Sequence, residues 1–212
     1  MSRSSRAAEK RAVIFAATSR LLQHPDEALI EQVPLLREAA AGLEPRAGGP
    51  LLRFVEHLEV TPLLALQADY TATFDLLRRN CLYLTYYLNG DTRRRGMALL
   101  RFKTAYTERG LHIAGGELPD FLPVLLELAA TGHEDVALAL LLEHRAGIEA
   151  LVQSLNDGGS PYADVVRVLD AALPEPSPEV LAAALTLVSE GPPAEQVGLE
   201  PFFSVESLGV RS

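Results

Sequence analysis

Apolar residues recur every three or four positions through most of the chain, which is the period of an amphipathic α-helix. Val13, Ala17 and Leu21 follow this spacing, and they predict a first helix over residues 9–23, with residues 1–8 frayed. No strand signal survives along the chain. We therefore predict an all-α fold, a single-domain bundle of roughly nine to ten helices.

Prolines and glycines divide this pattern into segments. They predict a second helix that is kinked or broken at Pro34, a loop at residues 42–50, and a helix that begins at Pro119 with Asp120 at its positive end. Residues 80–88 combine aromatic and β-branched side chains, which are typical of strands. Since a lone strand would have no partner in so helical a chain, we interpret this segment as helical or irregular.

Residues 134–155 show a near-heptad spacing of apolar positions, which predicts one continuous helix buried in the bundle. The last helix is expected at residues 178–189, with Ser177 as its N-cap. Residues 1–190 thus form the predicted helical domain, and residues 191–212 form a predicted flexible tail.

Charge and cysteine content narrow the classes of function. The net charge of −9 argues against nucleic-acid binding, which needs a basic surface, and it favours a basic partner. Cys81 is the only cysteine, so no internal disulfide can form and a cytoplasmic location is expected. The longest run without a polar residue, 136–142, is far shorter than the roughly 20 residues that cross a bilayer, so no direct membrane insertion is expected.

No residue pattern argues for catalysis or for metal binding. No two of the five histidines are four positions apart and none follows a glutamate by three, the spacings that place metal ligands on one helix face. We interpret Cys81 as a small buried hydrophobe, and His144, on an apolar seam, as a packed neutral histidine. The sequence has no glycine-rich phosphate loop and no nucleophile elbow. We expect a protein that is not an enzyme and that holds no metal and no cofactor.

The segment from Asp69 to Glu127 differs from the Leu- and Ala-rich remainder. Four of the six tyrosines lie in its first part, and tyrosine is favoured at interfaces because it joins an apolar body to a polar tip. Core packing is the alternative, and we prefer it for Phe74. With carboxylates close in sequence, the tyrosines can line a groove for a basic, amphipathic peptide helix. The residues concerned are Tyr70, Tyr83, Tyr86 and Tyr87, with Asp69, Asp75 and Asp91.

The same segment contains the densest run of arginines, which are Arg78, Arg79, Arg93, Arg94, Arg95 and Arg101, with Lys103. Arginine is the usual choice for contacts with anions, so the run can form a patch for a phosphate or a cofactor. The alternative is a solvated face. On a helical wheel Arg94 and Arg101 share one flank, whereas Arg93 and Lys103 point elsewhere.

This segment strongly resembles the NarJ family, the assembly chaperones or delta subunits of membrane-bound respiratory nitrate reductase, within the wider group of redox-enzyme maturation proteins. About 60 residues match closely, and the flanks match mainly as helical context. The matching stretches are residues 69–70, 73–76, 78–79, 81–87, 90–93, 95–103, 117–120 and 122–123.

The resemblance implies a chaperone that binds the apo catalytic (alpha) subunit of nitrate reductase, chiefly at its N-terminus. It would hold that subunit open for molybdenum cofactor insertion, delay membrane docking, and possess no catalytic activity. The molybdenum cofactor biosynthesis machinery is a further partner that the resemblance suggests. We expect a basic partner segment whose binding is weakened by salt. The expected partner-binding residues are Asp69, Tyr70, Tyr83, Tyr86, Tyr87, Asp91, Arg94, Arg101, Pro119, Asp120 and Pro123.

Three alternatives stay open from the sequence. A chaperone of a related molybdoenzyme is disfavoured by the motif between Cys81 and Lys103. A general adaptor for helical peptides would show many partners rather than one dominant large partner. A cytoplasmic enzyme that uses the arginine run is disfavoured because the sequence offers no pairing of a nucleophile with a base.

Overall fold

The computed structural model describes residues 3–112 and 116–193, and α-helices dominate these ranges. Ten of the twelve α-helices have seven residues or more, and no strand occurs in the ranges described, which confirms the all-α fold. The helices are α1 (Arg3–Leu21), α2 (Glu27–Glu31), α3 (Val33–Ala41), α4 (Pro45–Val60), α5 (Leu63–Tyr70), α6 (Leu84–Asn89), α7 (Arg93–Thr107), α8 (Leu122–Ala130), α9 (Glu134–Glu143), α10 (Arg145–Asp157), α11 (Tyr162–Ala172) and α12 (Pro178–Glu190).

In the N-terminal third, one predicted helix break is confirmed, and two helices begin earlier than predicted. The break at Pro34 is confirmed, since α2 ends and α3 begins around Gln32. Helix α1 begins at Arg3 because residues 3–8 contain strong helix formers and no breaker, so the prediction of a frayed start is wrong there. The predicted loop at residues 42–50 is also wrong, because α4 begins at Pro45.

Glycine explains why α4 can begin inside that glycine-rich stretch. Helix α4 packs against α3, and a Cβ atom at Gly48 would collide with the carbonyl oxygen of Ala40. A side chain at this position would therefore force the two helices apart, whereas glycine allows their backbones to approach.

The predicted helix over residues 134–155 is two helices, α9 and α10, that meet at His144. The heptad spacing did not reveal the break because the apolar residues on both sides of it face the same core. His144 is 2% exposed, its Nδ1 lies 2.9 Å from the Leu140 carbonyl, and burial lowers its pKa. The prediction of a packed, neutral histidine is confirmed.

Long-range packing joins the two ends of the chain. Helix α1 packs against α8 and α11, α4 packs against α3 and α11, and α10 packs against α11 and α12. Four aromatic rings from α4, from the α5 region and from α11 fill the centre of one side. Their neighbouring centroids lie 4.8–5.9 Å apart, a spacing at which aromatic pairs attract. The rings are those of Phe54, Tyr70, Phe74 and Tyr162.

The C-terminal part of the chain tests two further predictions, the cap of α12 and the flexible tail. Ser177 caps α12, because its hydroxyl accepts a hydrogen bond from the Val180 amide, as predicted. Residues 194–212 lie outside the described residues, so the flexible tail stays a prediction. Within residues 3–112 and 116–193, no helix has both the length and the apolar character needed to cross a membrane.

A buried ionic cluster joins α10 to α11. Arg145 is 3% exposed, and its guanidinium contacts Asp170 and lies 2.9 Å from a carboxylate oxygen of Glu149. Burial, and then a hydrogen bond with Asp170, raise the pKa of Glu149 to about 7, against the opposing effect of Arg145. Glu149 is therefore a carboxyl group that the fold prefers to keep protonated.

We predict that Glu149→Gln stabilises the protein above neutral pH. In the unfolded chain Glu149 titrates near 4.5, so the wild-type protein loses stability as pH rises from about 4.5 to about 7, where the folded group ionises. Glutamine removes this loss, and we expect a gain of about 1–2 kcal/mol at pH 8 and no difference at pH 4.5. Chemical denaturation across this pH range measures it, with exposed Glu31→Gln as the control. Parallel pH profiles for the Glu149→Gln and wild-type proteins would contradict the prediction.

Candidate functional site

An open groove of about 710 Å³ lies beside the aromatic cluster. Its walls come from the end of α1, from the segment between α5 and α7, and from the chain that leads into α8. The lining residues are Gln23, His24, Tyr70, Phe74, Asp75, Arg78, Cys81, Leu82, Tyr83, Tyr86, Asp91, Arg95, Glu117, Leu118 and Phe121.

Irregular turns bring these side chains together. Residues 71–75 form a π-helical turn after α5, and residues 78–80 form a 3-10 turn. The chain is then extended at Tyr83, which makes an isolated antiparallel bridge with Phe121. The interpretation of residues 80–88 as helical or irregular is confirmed. The bridge also explains their strand-like composition, because one residue does pair in the manner of a strand.

The buried side chain of Asp120 holds this bridge in place. It is fully buried, and its carboxylate accepts hydrogen bonds from the backbone amide of Thr85 at 3.0 Å and from the Thr85 hydroxyl at 2.6 Å. Its carbonyl accepts a third bond, from the Leu84 amide at 3.0 Å. Asp120 therefore supports the groove from inside the protein and does not face it.

The predicted helix start at Pro119 is wrong. Helix α8 begins at Leu122 and carries Pro123 in its first turn, where a missing amide costs little. Asp120 does cap a helix, but the helix is α6, because its carboxylate reaches the first-turn amide of Thr85. Spacing within one segment could not reveal a cap supplied by a distant segment.

The tyrosines of the groove differ in how much surface they offer. Tyr70 is 5% exposed and its hydroxyl donates to the Leu22 carbonyl at 3.0 Å. Tyr86 is 8% exposed. Tyr83 is only half-buried, and its hydroxyl donates to a Glu117 carboxylate oxygen at 3.1 Å. Burial, and then the Glu117 charge, raise the pKa of Tyr83 to about 12, so its hydroxyl stays protonated.

Arg95 fixes the charged side of the groove. Its guanidinium carbon lies 5.8 Å from the ring centroid of Tyr83 and 5.9 Å from that of Tyr86, which is cation–π distance. It also lies 3.5 Å from Asp91, and Arg78 contacts the same carboxylate at 3.2 Å. Two arginines therefore already pair with Asp91.

The charges of the groove nearly cancel. Its lining contains three carboxylates and two arginines. The expectation of an acidic groove that selects a basic segment by charge is therefore weakened, and apolar contact gains in importance. Salt should affect binding less than the net charge of the whole chain suggests.

Four of the predicted binding residues line the groove: Tyr70, Tyr83, Tyr86 and Asp91. The other seven do not. Tyr87 is buried, with its ring against Gly147, and Arg94 and Arg101 lie exposed on α7. A partner-binding role for these seven residues stays a prediction. They are Asp69, Tyr87, Arg94, Arg101, Pro119, Asp120 and Pro123.

The two prolines of that group and Asp69 make contacts within the fold. The Pro119 carbonyl accepts a hydrogen bond from the Tyr106 hydroxyl at 2.7 Å. The Pro123 carbonyl accepts one from the Ser19 hydroxyl at 2.7 Å, which ties α8 to α1. Asp69 is half-buried beside Tyr162, whose pKa it helps to raise after burial itself.

Sequence reasoning missed several groove residues. Arg95 belongs to the arginine run and follows Asp91 by four positions, a spacing at which opposite charges commonly pair. Gln23 and His24 follow the end of α1, and no local signal links them to this site. Phe74 and Cys81, expected as core residues, also line the groove. The remaining missed residues are Arg78, Leu82, Glu117, Leu118 and Phe121.

The groove offers no reactive thiol. Cys81 lines it and is half-buried, and burial raises the pKa of its thiol. The thiolate, which is the nucleophile, is therefore disfavoured at neutral pH. In the described ranges, no three His, Cys, Asp or Glu side chains cluster closely enough to hold a metal ion.

Fold and groove together define a class: a helical binding protein whose groove combines aromatic walls with paired charges. The model of the nitrate reductase delta subunit family matches residues 23–167, and the chain belongs to that family.

Curated relatives agree with this assignment. The chain is 33% identical over 164 residues to the probable nitrate reductase molybdenum cofactor assembly chaperone NarJ of Bacillus subtilis, a match that covers 77% of this chain and 89% of that protein. It is 34% identical over 154 residues to the assembly chaperone NarJ of Escherichia coli, with 71% of this chain and 65% of that protein covered. Both NarJ proteins are named as chaperones rather than as enzymes.

A longer relative and a solved structure extend the comparison. The chain is 38% identical over 157 residues to the nitrate reductase-like protein NarX of Mycobacterium tuberculosis, which is 74% of this chain but spans only 24% of NarX. A crystal structure from Archaeoglobus fulgidus, provisionally assigned as a redox enzyme maturation protein, superposes with a TM-score of 0.58 at 21% identity. It covers 76% of this chain and 91% of that one, and it shows a shared fold.

We predict that Asp120→Ala destabilises the protein by about 2–3 kcal/mol, because it leaves the buried Thr85 amide and hydroxyl without partners. This exceeds the roughly 1 kcal/mol expected if the residue only capped an exposed helix end. Urea denaturation measures the loss, with the exposed carboxylate change Asp157→Ala as the control. A loss no larger than that of the control would refute the role of Asp120 as a buried support.

We predict that Cys81→Ser leaves folding and partner maturation intact, with at most a modest loss of stability. The thiol makes two weak contacts with the Tyr83 backbone, accepting from the amide at 3.4 Å and donating to the carbonyl at 4.0 Å, and serine can replace both. Circular dichroism and an assay of nitrate reductase maturation test this. A well-folded but inactive Cys81→Ser protein would show that the thiol has a chemical role.

Proposed function

We propose that this chain is the assembly chaperone of a respiratory nitrate reductase, and that its groove binds the N-terminal segment of the apo catalytic subunit. While the segment is bound, the subunit stays open for molybdenum cofactor insertion and does not dock at the membrane. The chaperone acts in the cytoplasm and is absent from the finished enzyme.

The observation that carries this proposal is the groove itself. Its volume of about 710 Å³ suits a short segment rather than a whole domain. Aromatic side chains form its walls, and partner helices commonly insert apolar residues into such grooves. Family membership supplies the class of partner, because the NarJ relatives are named for assembly of nitrate reductase.

The mechanism is differential binding. A chaperone that binds the immature subunit more tightly than the mature one shifts the population toward the form that accepts the cofactor. The catalytic subunit's own segment must become ordered in the groove, which offsets part of the gain from apolar burial and leaves a moderate affinity. Release after maturation is then possible without an energy source.

Calorimetric titration of a synthetic N-terminal peptide of the catalytic subunit tests this directly. We predict micromolar or tighter binding, on the order of −8 kcal/mol. Tyr83→Ala should weaken it at least about tenfold, because Tyr83 is a half-buried aromatic that lines the groove, while Tyr83→Phe should keep most of it. Raising the salt concentration should cost only a few-fold, because the lining charges nearly cancel.

Leu35→Ala is the matched control, because Leu35 is 66% exposed and lies outside the groove. We avoid Tyr70 as a probe, since its burial among other rings would mix binding with stability. If the peptide does not bind, or if it binds Tyr83→Ala as tightly as wild type, the groove is not the binding site.

A further inference from the structure

Helix α7 has a charge that the rest of the chain does not share. Its sequence, RRRGMALLRFKTAYT, contains four arginines and one lysine and no acidic residue, in a protein whose net charge is −9. Arg95 faces the groove and Arg101 lies 2.8 Å from Glu143. In the part of the chain that the structure describes, Arg94 and Lys103 form no ion pair. Pairing within the protein therefore does not account for the charges of Arg94 and Lys103.

Two large apolar side chains stand at the centre of the outer face of α7. Met97 is 69% exposed and Leu100 is 53% exposed. At about 100° per residue, they share one face, with Arg94 and Arg101 on one flank and Lys103 on the other. Apolar residues inside a polar rim form the arrangement of a protein–protein interface.

Gly96 lies on the same outer side and gives an independent indication. Glycine weakens a helix relative to alanine, and close packing of another backbone is one feature that offsets this cost. At Gly96 no such reason exists inside the protein, because a Cβ atom there would meet nothing within 4 Å. A glycine that is free of internal contacts, beside exposed Met97, fits the close approach of another backbone.

We propose that this outer face, which we call the α7 ridge (Arg94, Gly96, Met97, Leu100, Arg101 and Lys103), docks an acidic, amphipathic helix on the body of the apo catalytic subunit. The proposal rests on the proposed function for the identity of the partner. The ridge is separate from the groove, because Arg95 and Met97 point to nearly opposite sides of α7. One helix thus serves two contacts.

A protein helix fits the ridge better than an anionic membrane. Two exposed apolar side chains are too few to anchor a protein in lipid. The remainder of this chain is more acidic than the whole, so a broad anionic surface would repel it. A single acidic helix meets only the three ridge cations, Arg94, Arg101 and Lys103, and it meets them within a Debye length of about 8 Å.

The test uses the full chain and the apo catalytic subunit with its N-terminal segment deleted, so that the groove ligand is absent. We expect biolayer interferometry to show residual binding by the wild-type chain. The change Arg94→Glu with Arg101→Glu should lower it at least about tenfold. Gly96→Leu should lower it to a similar degree while the melting temperature stays the same or rises, since the site is open.

The controls separate this proposal from the groove. Arg6→Glu with Arg46→Glu reverses two exposed arginines elsewhere and should leave the residual binding unchanged. Both ridge variants should still bind the N-terminal peptide as the wild type does, so a failure of the groove proposal is seen separately. No binding of the truncated subunit by the wild-type chain, or equal binding by the ridge variants, would overturn the ridge proposal. Ridge-dependent binding to phosphatidylserine vesicles without binding to the truncated subunit would also overturn it.

Discussion

The groove depends on one buried contact, that of the Asp120 carboxylate with Thr85. The two residues are 35 positions apart, and the carboxylate has no exposure to water. Its hydrogen bonds to an amide and a hydroxyl of Thr85 replace part of the lost hydration, and the positive end of α6 favours its charge. Because the Tyr83–Phe121 bridge continues from this contact, the two segments that form one wall of the groove have a fixed register. The ring centroids of Tyr83 and Phe121 lie 5.1 Å apart as a direct result.

Helix α7 connects this buried contact to the rest of the site through its packing against neighbouring helices. It packs against α6 and α9, and its buried Phe102 contacts His144 at the junction of α9 and α10, with ring centroids 5.1 Å apart. From this fixed position α7 extends Arg95 over the tyrosines of the groove on one side and exposes Met97 on the other. Helix α7, which lies between Thr85 and Asp120 in the chain, therefore presents charge on two of its faces.

The spacing of apolar residues was sufficient to predict the helical class and most of the helices, because this spacing involves only residues close together in the chain. It failed where a distant contact decides the outcome. The break at His144 is invisible because apolar positions continue across it, and the close approach of α4 to α3 depends on the absence of a side chain at Gly48, opposite Ala40. The same limit applies to the site. Clustering in sequence correctly placed Tyr83 and Tyr86 in the groove, but it could not show that Asp120 lies beneath the groove.

Three polar side chains of the groove are already paired within the protein before any ligand arrives. The Tyr70 hydroxyl bonds to Leu22, that of Tyr83 bonds to Glu117, and Asp91 is paired with arginines. A ligand therefore gains little by offering new hydrogen bonds to these three groups, and it gains more by covering the aromatic faces that remain exposed. Such a groove needs little reorganisation on binding, which lowers the cost of association. Selectivity must then come mainly from the spacing of apolar side chains on the ligand, with the charged residues at the edge controlling its orientation.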